Sequence, residues 1–107
     1  MTIESRNDIL YFMPPKSAQR WSFLTNHAQV LLCIAHDPGV RLREIGENVG
    51  ITERGAHRII GELADAGYIS RTRTGRRNRY TIESSLPVPD PLASRQRIGD
   101  LLAILRA

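Results

Sequence analysis

The apolar pattern between Leu42 and Ile82 is broken twice, each time at a glycine. Leu42, Ile45 and Val49 recur at helical spacing, and the pattern stops at Gly50, where a sharp corner needs a positive φ. Ala56, Ile59, Ile60, Leu63 and Ala66 form a second helical stripe, which stops at Gly67. The run Tyr68–Thr74 is rich in β-formers and alternates after Ile69. A reversal follows over Gly75–Asn78, after which Tyr80 and Ile82 share a face directed at the core. The pattern predicts two short helices, Leu42–Val49 and Glu53–Ala66, joined by a tight turn and followed by a hairpin.

Local chemistry supports that division. Thr52 stands where an N-cap belongs, so its hydroxyl can accept from an amide of the first helical turn. Glu53 sits where the helix dipole favours an acid. Ile51, just before the cap, can pack back on Ala56. On the other side of the second helix, Arg54, His57, Arg58, Gly61 and Asp65 make a polar face. A solvated surface is the plain reading of such a face. Its arginines near the helix N-terminus, and the ribbon that follows it, give it a second one.

The flanks extend the helical pattern. Trp21–His36 is predicted to be a first, supporting helix, with Leu24, Ala28, Leu31 and Ala35 in one stripe widened by Phe23, Val30 and Ile34. Asp37-Pro38-Gly39 ends it. Val40 and Arg41 are placed as a brief third strand beside the hairpin, and Arg43 and Glu47 as an i,i+4 pair. Before Trp21, the apolar run Ile9–Met13 stops at Pro14-Pro15 and is expected to dock on something, a second subunit among the candidates; Lys16–Arg20 reads as linker. After the hairpin, Ser84–Pro89 reads as a loop. Asp90-Pro91, or alternatively Ser94, would start a last helix with the stripe Ile98, Leu101, Leu102 and Leu105. The three-helix core with its hairpin is nearly complete by Ile82, so this leucine-rich helix is expected to join two subunits in an isologous contact. The division that results is an arm at 1–20, a core at 21–83 and a loop with a dimerisation helix at 84–107.

Charge changes the picture through its placement. The chain has 107 residues, 15 basic and 11 acidic, for a net charge of +4, and one domain fits that length. Five arginines and no acid lie between Tyr68 and Tyr80: Arg71, Arg73, Arg76, Arg77 and Arg79. Like charges crowded on a two-stranded ribbon repel unless a polyanion is present. The single cysteine excludes an intrachain disulfide. Cys33, His36 and Asp37 fall at i, i+3 and i+4 with His27 nearby, but Cys33 lies in an apolar run and the spacing is not that of a zinc site, so no metal is expected. No cofactor motif, phosphate-binding glycine loop or nucleophile elbow occurs, and His57 with Glu53 is explained by the polar face; no enzyme is expected. No secretory leader or membrane-length apolar run appears, so the expected location is cytoplasmic, on the nucleoid.

The pieces FLTNH, DPGVRLREIG, VGITER, RII-ELADAGYI and GRRNRYTI lie along residues 21–82, and this stretch resembles a winged helix-turn-helix domain of the MarR/ArsR-like type. The resemblance implies a mainly α fold with a small antiparallel β-hairpin, here with an added C-terminal helix, in a prokaryotic transcription regulator that binds as a homodimer. Thr52–Ala66 would be the recognition helix and Gly75–Asn78 the wing tip. On that reading Arg54, His57 and Arg58 meet base edges in double-stranded DNA. Thr52, Arg71, Arg73, Arg76, Arg77 and Arg79 hold phosphates or probe the minor groove. Ile98, Leu101, Leu102 and Leu105 join the protomers. Gly46 departs from the family pattern, standing where alanine is common, and with Gly55 it is expected to loosen helix stability by up to ~1 kcal/mol each. The alternatives are a protein–protein module, a general chromosome binder, an RNA binder short of exposed aromatics, and an enzyme accessory or sensor whose pocket has no sequence signature. A small-molecule effector, the operator and the sign of regulation are not legible.

Overall fold

In the computed structural model, residues 21–106 are described. The apolar run Ile9–Met13 and the linker Lys16–Arg20 lie outside them. The elements follow the order α1 (Asn26–His36), α2 (Leu42–Val49), α3 (Glu53–Asp65), β1 (Ile69–Thr74), β2 (Arg77–Ile82) and α4 (Ile98–Arg106). Four helices and one antiparallel hairpin make a winged helix-turn-helix with an added C-terminal helix, the architecture expected from the pattern.

The helix α1 is shorter than its apolar stripe suggests. It starts at Asn26, because Thr25 acts as N-cap and its Oγ1 accepts from the Ala28 amide at 3.1 Å. Trp21 and Phe23 lie before it, 66% and 91% exposed, with their rings edge to face at 5.0 Å. The helical periodicity therefore ran through a capped boundary. Val30, Leu31 and Ile34 are the α1 residues that reach the core. No third strand forms at Val40–Arg41 in the described residues. Instead the α1–α2 loop lies along β2, and the Tyr80 amide donates to Pro38 O at 2.9 Å. The expected Arg43–Glu47 ion pair is absent among the described residues.

The corner between α2 and α3 is a glycine stop followed at once by a threonine start. Gly50 takes φ 86°, and both its amide and that of Ile51 donate to Gly46 O, at 2.8 and 3.0 Å. Thr52 Oγ1 then accepts from the Gly55 amide at 2.9 Å. At the far end of α3, Gly67 (φ 86°) donates to Ala64 O and Tyr68 to Leu63 O, the two bonds of a Schellman stop. Ala56, Ile59, Ile60 and Leu63 are buried as the stripe requires, whereas Ala66 is the C-cap and is exposed.

Gly46 has a role the family comparison hides. A Cβ built there would lie 2.8 Å from Ile51 O, so the absent side chain lets α2 approach the turn backbone. It is a packing glycine and not a loosened alanine position.

The strands pair Ile69 with Ile82 through Thr74 with Arg77. The reversal is thus the two residues Gly75-Arg76, with φ 64° at Gly75, and Asn78 belongs to β2 opposite Arg73. The predicted four-residue tip was too long because Arg77 and Asn78 already pair with Thr74 and Arg73 in the ladder.

The chain beyond Ile82 does not start a helix at Asp90 or Ser94. Asp90 Oδ1 accepts from the Leu92 amide at 2.9 Å in a local turn, and Pro87 bridges Arg97. The helix α4 begins at Ile98, where loop carbonyls take its first amides: Ile98 N–H donates to Leu86 O at 2.8 Å and Gly99 N–H to Ser84 O at 3.0 Å. Ile98 and Leu102 join the same core as α1, α3 and Tyr80, with 2% and 6% exposure.

Candidate nucleic-acid interface

The outer face of α3 carries Arg54, His57 and Arg58, all exposed. The face exists because the opposite stripe is spent in the core and because Thr52 fixes where the helix begins. Gly61 follows on the same side, and a Cβ there would meet nothing within 4 Å. Arg54 and His57 have no side-chain partner among the described residues. Arg58 does: its Nη1 donates to Glu62 Oε2 at 2.9 Å, one helical turn on. Glu62 Oε1 is in turn 2.7 Å from His27 Nε2 on α1. These two bonds hold the Glu62 carboxyl below the usual carboxylate range, His27 contributing more than Arg58.

The ribbon divides its arginines between two faces. Directly paired residues share a face and neighbours alternate. The register therefore places Arg71 and Arg73 with Tyr80 and Asn78, and Arg77 and Arg79 with Thr74 and Thr72. Arg77 is committed, its Nη2 donating to Gly39 O at 2.6 Å. That bond, with the one from Tyr80 N–H to Pro38 O, braces the wing against the α1–α2 loop. Arg71, Arg73 and Arg76 are exposed and have no side-chain bond among the described residues. An open cleft of about 720 Å³ separates the brace from the start of α2, lined among others by Arg41, Arg43, Glu44, Arg76 and Arg77.

The remaining expected sites divide in the same way. Thr52 spends its hydroxyl oxygen on the α3 cap, which leaves its O–H proton free to donate. On α4, Ile98 and Leu102 are buried inside the protomer, while Leu101 is half-buried, Leu105 38% exposed and Ile104 74% exposed. An outward apolar edge remains, made by Leu101, Ile104 and Leu105. Among the described residues no group of three His, Cys, Asp or Glu side chains could hold a metal ion. Burial pushes the Cys33 thiol up, against a smaller downward pull from its Asn48 hydrogen bond. No helix of the described residues is long and apolar enough to cross a membrane.

Sequence reasoning missed Glu62 and the use of His27. Glu62 stands four residues after Arg58, a spacing that does signal a pair; nothing in the sequence signals the bond to α1.

The family model described as MarR family matches residues 22–79, more than half of the chain, and so spans α1 to the wing. The chain belongs to the MarR family. Members of this family are transcription regulators, not enzymes; they bind DNA and typically act as dimers. This MarR-family chain is 32% identical over 72 residues to the uncharacterized protein MJ1254 of Methanocaldococcus jannaschii, covering 66% of the chain and 15% of that protein. Among solved structures it is similar to the PcaV transcriptional regulator of Streptomyces coelicolor, in complex with its natural ligand, at 22% identity and TM-score 0.50 over 78% of this chain and 57% of that one. It is also similar to the MarR family protein Rv2887 of Mycobacterium tuberculosis, in complex with salicylic acid, at 25% identity and TM-score 0.46, covering 55% of this chain and 47% of that one. The chain thus spans less than two thirds of each of these relatives. The likeness to PcaV is one of fold.

Proposed function

We propose that this chain is a sequence-specific regulator that grips double-stranded DNA as a homodimer, on the bacterial or archaeal nucleoid. The observation that carries the reading is that Arg54, His57 and Arg58 stand exposed on one helix and the acid-free ribbon that follows it in the chain exposes five further arginines. Arg54, His57 and Arg58 meet base edges in the major groove, and an arginine forked onto guanine contributes about 1–3 kcal/mol of discrimination. Thr52, Arg71, Arg73, Arg76 and Arg79 hold phosphates and set register. Arg77 serves that surface chiefly by bracing the wing, with further N–H groups available to a phosphate. The outward edge of α4, Leu101, Ile104 and Leu105, supplies the contact between protomers. It does so without Ile98 and Leu102, which support it from inside.

The test compares binding to a duplex enriched by selection from a random library with binding to its scrambled form. Arg54→Ala/Arg58→Ala should abolish the preference. Arg71→Ala/Arg73→Ala/Arg76→Ala should weaken both duplexes alike and flatten the salt dependence. If the helix variant keeps the preference, α3 is not the reading element.

A further inference from the structure

We propose that Glu62 is a specificity-determining positioning residue: it pins the Arg58 guanidinium in one orientation on the reading face, and His27 pins Glu62 in turn. The inference rests on α3 being the helix that reads duplex DNA.

Among the described residues, Glu62 is the one carboxylate bonded to any of Arg54, His57 and Arg58. Its two oxygens are divided between two elements, Oε2 to Arg58 within α3 at 2.9 Å and Oε1 to His27 on α1 at 2.7 Å. A carboxylate held at both oxygens cannot rotate without losing a bond, so the plane offered to Arg58 is fixed by the packing of α1 on α3. All three side chains remain substantially exposed, at 44% for His27, 48% for Glu62 and 63% for Arg58. The Arg58–Glu62 pair alone is a weak surface interaction. Its worth is geometric. An unrestrained arginine beside a duplex reaches the nearest phosphate on any sequence, whereas a pinned one keeps a free N–H edge aimed where a particular base must supply the acceptors. The carboxylate also repels a phosphate that approaches Arg58 in its place. Glu62 therefore lowers affinity for every duplex and lowers it least for the correct one, which is what discrimination requires.

The experiment uses the full chain, the selected duplex and its scrambled form. Glu62→Gln keeps the volume, removes the charge and releases Arg58. Asp65→Asn is the charge-matched control, since Asp65 is exposed near the end of the same helix and has no bond to Arg58. Both variants should bind scrambled duplex a few-fold more tightly, as one lost acidic charge requires. Only Glu62→Gln should compress the selected-to-scrambled ratio, by about tenfold, within the range one guanine contact provides. In an Arg58→Ala background, Glu62→Gln should leave the ratio unchanged, because the group it positions is gone. His27→Leu should compress the ratio partly, and unfolding midpoints report whether each variant is folded. Equal ratios for Glu62→Gln and Asp65→Asn overturn the proposal and leave the reading helix standing. So does an undiminished effect in the Arg58→Ala background. If selection enriches no sequence for the wild type, the reading of α3 falls and this proposal with it.

Discussion

Gly46→Ala should destabilise the protein although it places the best helix former inside a helix. The helical preference favours alanine over glycine by about 1 kcal/mol. Against it stands the added Cβ, 2.8 Å from Ile51 O and 3.5 Å from both Glu53 N and Thr52 C. Restoring ordinary contact asks that carbonyl to retreat by about half an ångström. The corner is bonded on both sides of it: Gly46 O accepts from Gly50 and Ile51, and Thr52 Oγ1 accepts from Gly55. Overpacking against such a frame costs about 1–3 kcal/mol, and loosening one of its bonds about 1 kcal/mol more. The net loss is about 1–3 kcal/mol. Gly61→Ala is the internal control, because its Cβ meets nothing within 4 Å and it should gain up to ~1 kcal/mol. Urea unfolding of both variants at one protein concentration should separate them by about 2–4 kcal/mol, or roughly 10–30 °C in Tm for a domain of this size. If Gly46→Ala is as stabilising as Gly61→Ala, the α2–α3 corner opens freely and the close-approach argument is wrong.

Three further outcomes follow from particular contacts. Arg77→Leu removes the brace to Gly39 and should cost about 1 kcal/mol. Hydrogen exchange at the Tyr80 amide should quicken, and unchanged protection there would show that the brace is idle. Leu102→Ala should cost about 2–5 kcal/mol as a core cavity, whereas Leu101→Asp/Leu105→Asp should leave a folded chain that is monomeric by light scattering. An unchanged dimer mass would move the subunit contact off α4. The lowered pKa of Glu62 gives stability that is present above the ordinary carboxylate range and lost as pH falls through the lowered value. Acid titration of stability should therefore lose this component in Glu62→Gln, and identical acid profiles for the two proteins would contradict the pairing.

What the sequence made legible is what local chemistry decides. Gly50, Thr52 and Gly67 each mark a boundary by a φ value or a cap, and the stripe Ala56, Ile59, Ile60 and Leu63 has one periodicity with one burial to match. Tyr80 and Ile82 follow from strand alternation alone. The failures share a different cause. Ala66 was counted with the stripe although the helix closes there. Trp21–Leu24 continue the apolar spacing of α1, and only the Thr25 cap, which that spacing runs past, shows where the helix begins. The start of α4 is set by carbonyls of Ser84 and Leu86, partners that no local signal names. Its stripe was read correctly as apolar on the i, i+3, i+4, i+7 pattern. Periodicity, however, cannot say which of those residues face the chain's own α1 and which face outward. In the candidate site, the basic residues were visible as composition. The anchoring of Glu62 by His27 and the commitment of Arg77 to Gly39 were not, because these bonds span 35 and 38 residues of the chain.

The central claim is that the α3 face and the wing grip duplex DNA, and the salt dependence of wild-type binding tests it most directly. Four uncommitted wing arginines on each of two protomers, Arg71, Arg73, Arg76 and Arg79, should release about eight counterions and give a log–log slope near −7. The selected duplex should remain the tighter ligand across the series. A slope near zero, or affinity that ignores both salt and sequence, would contradict the account.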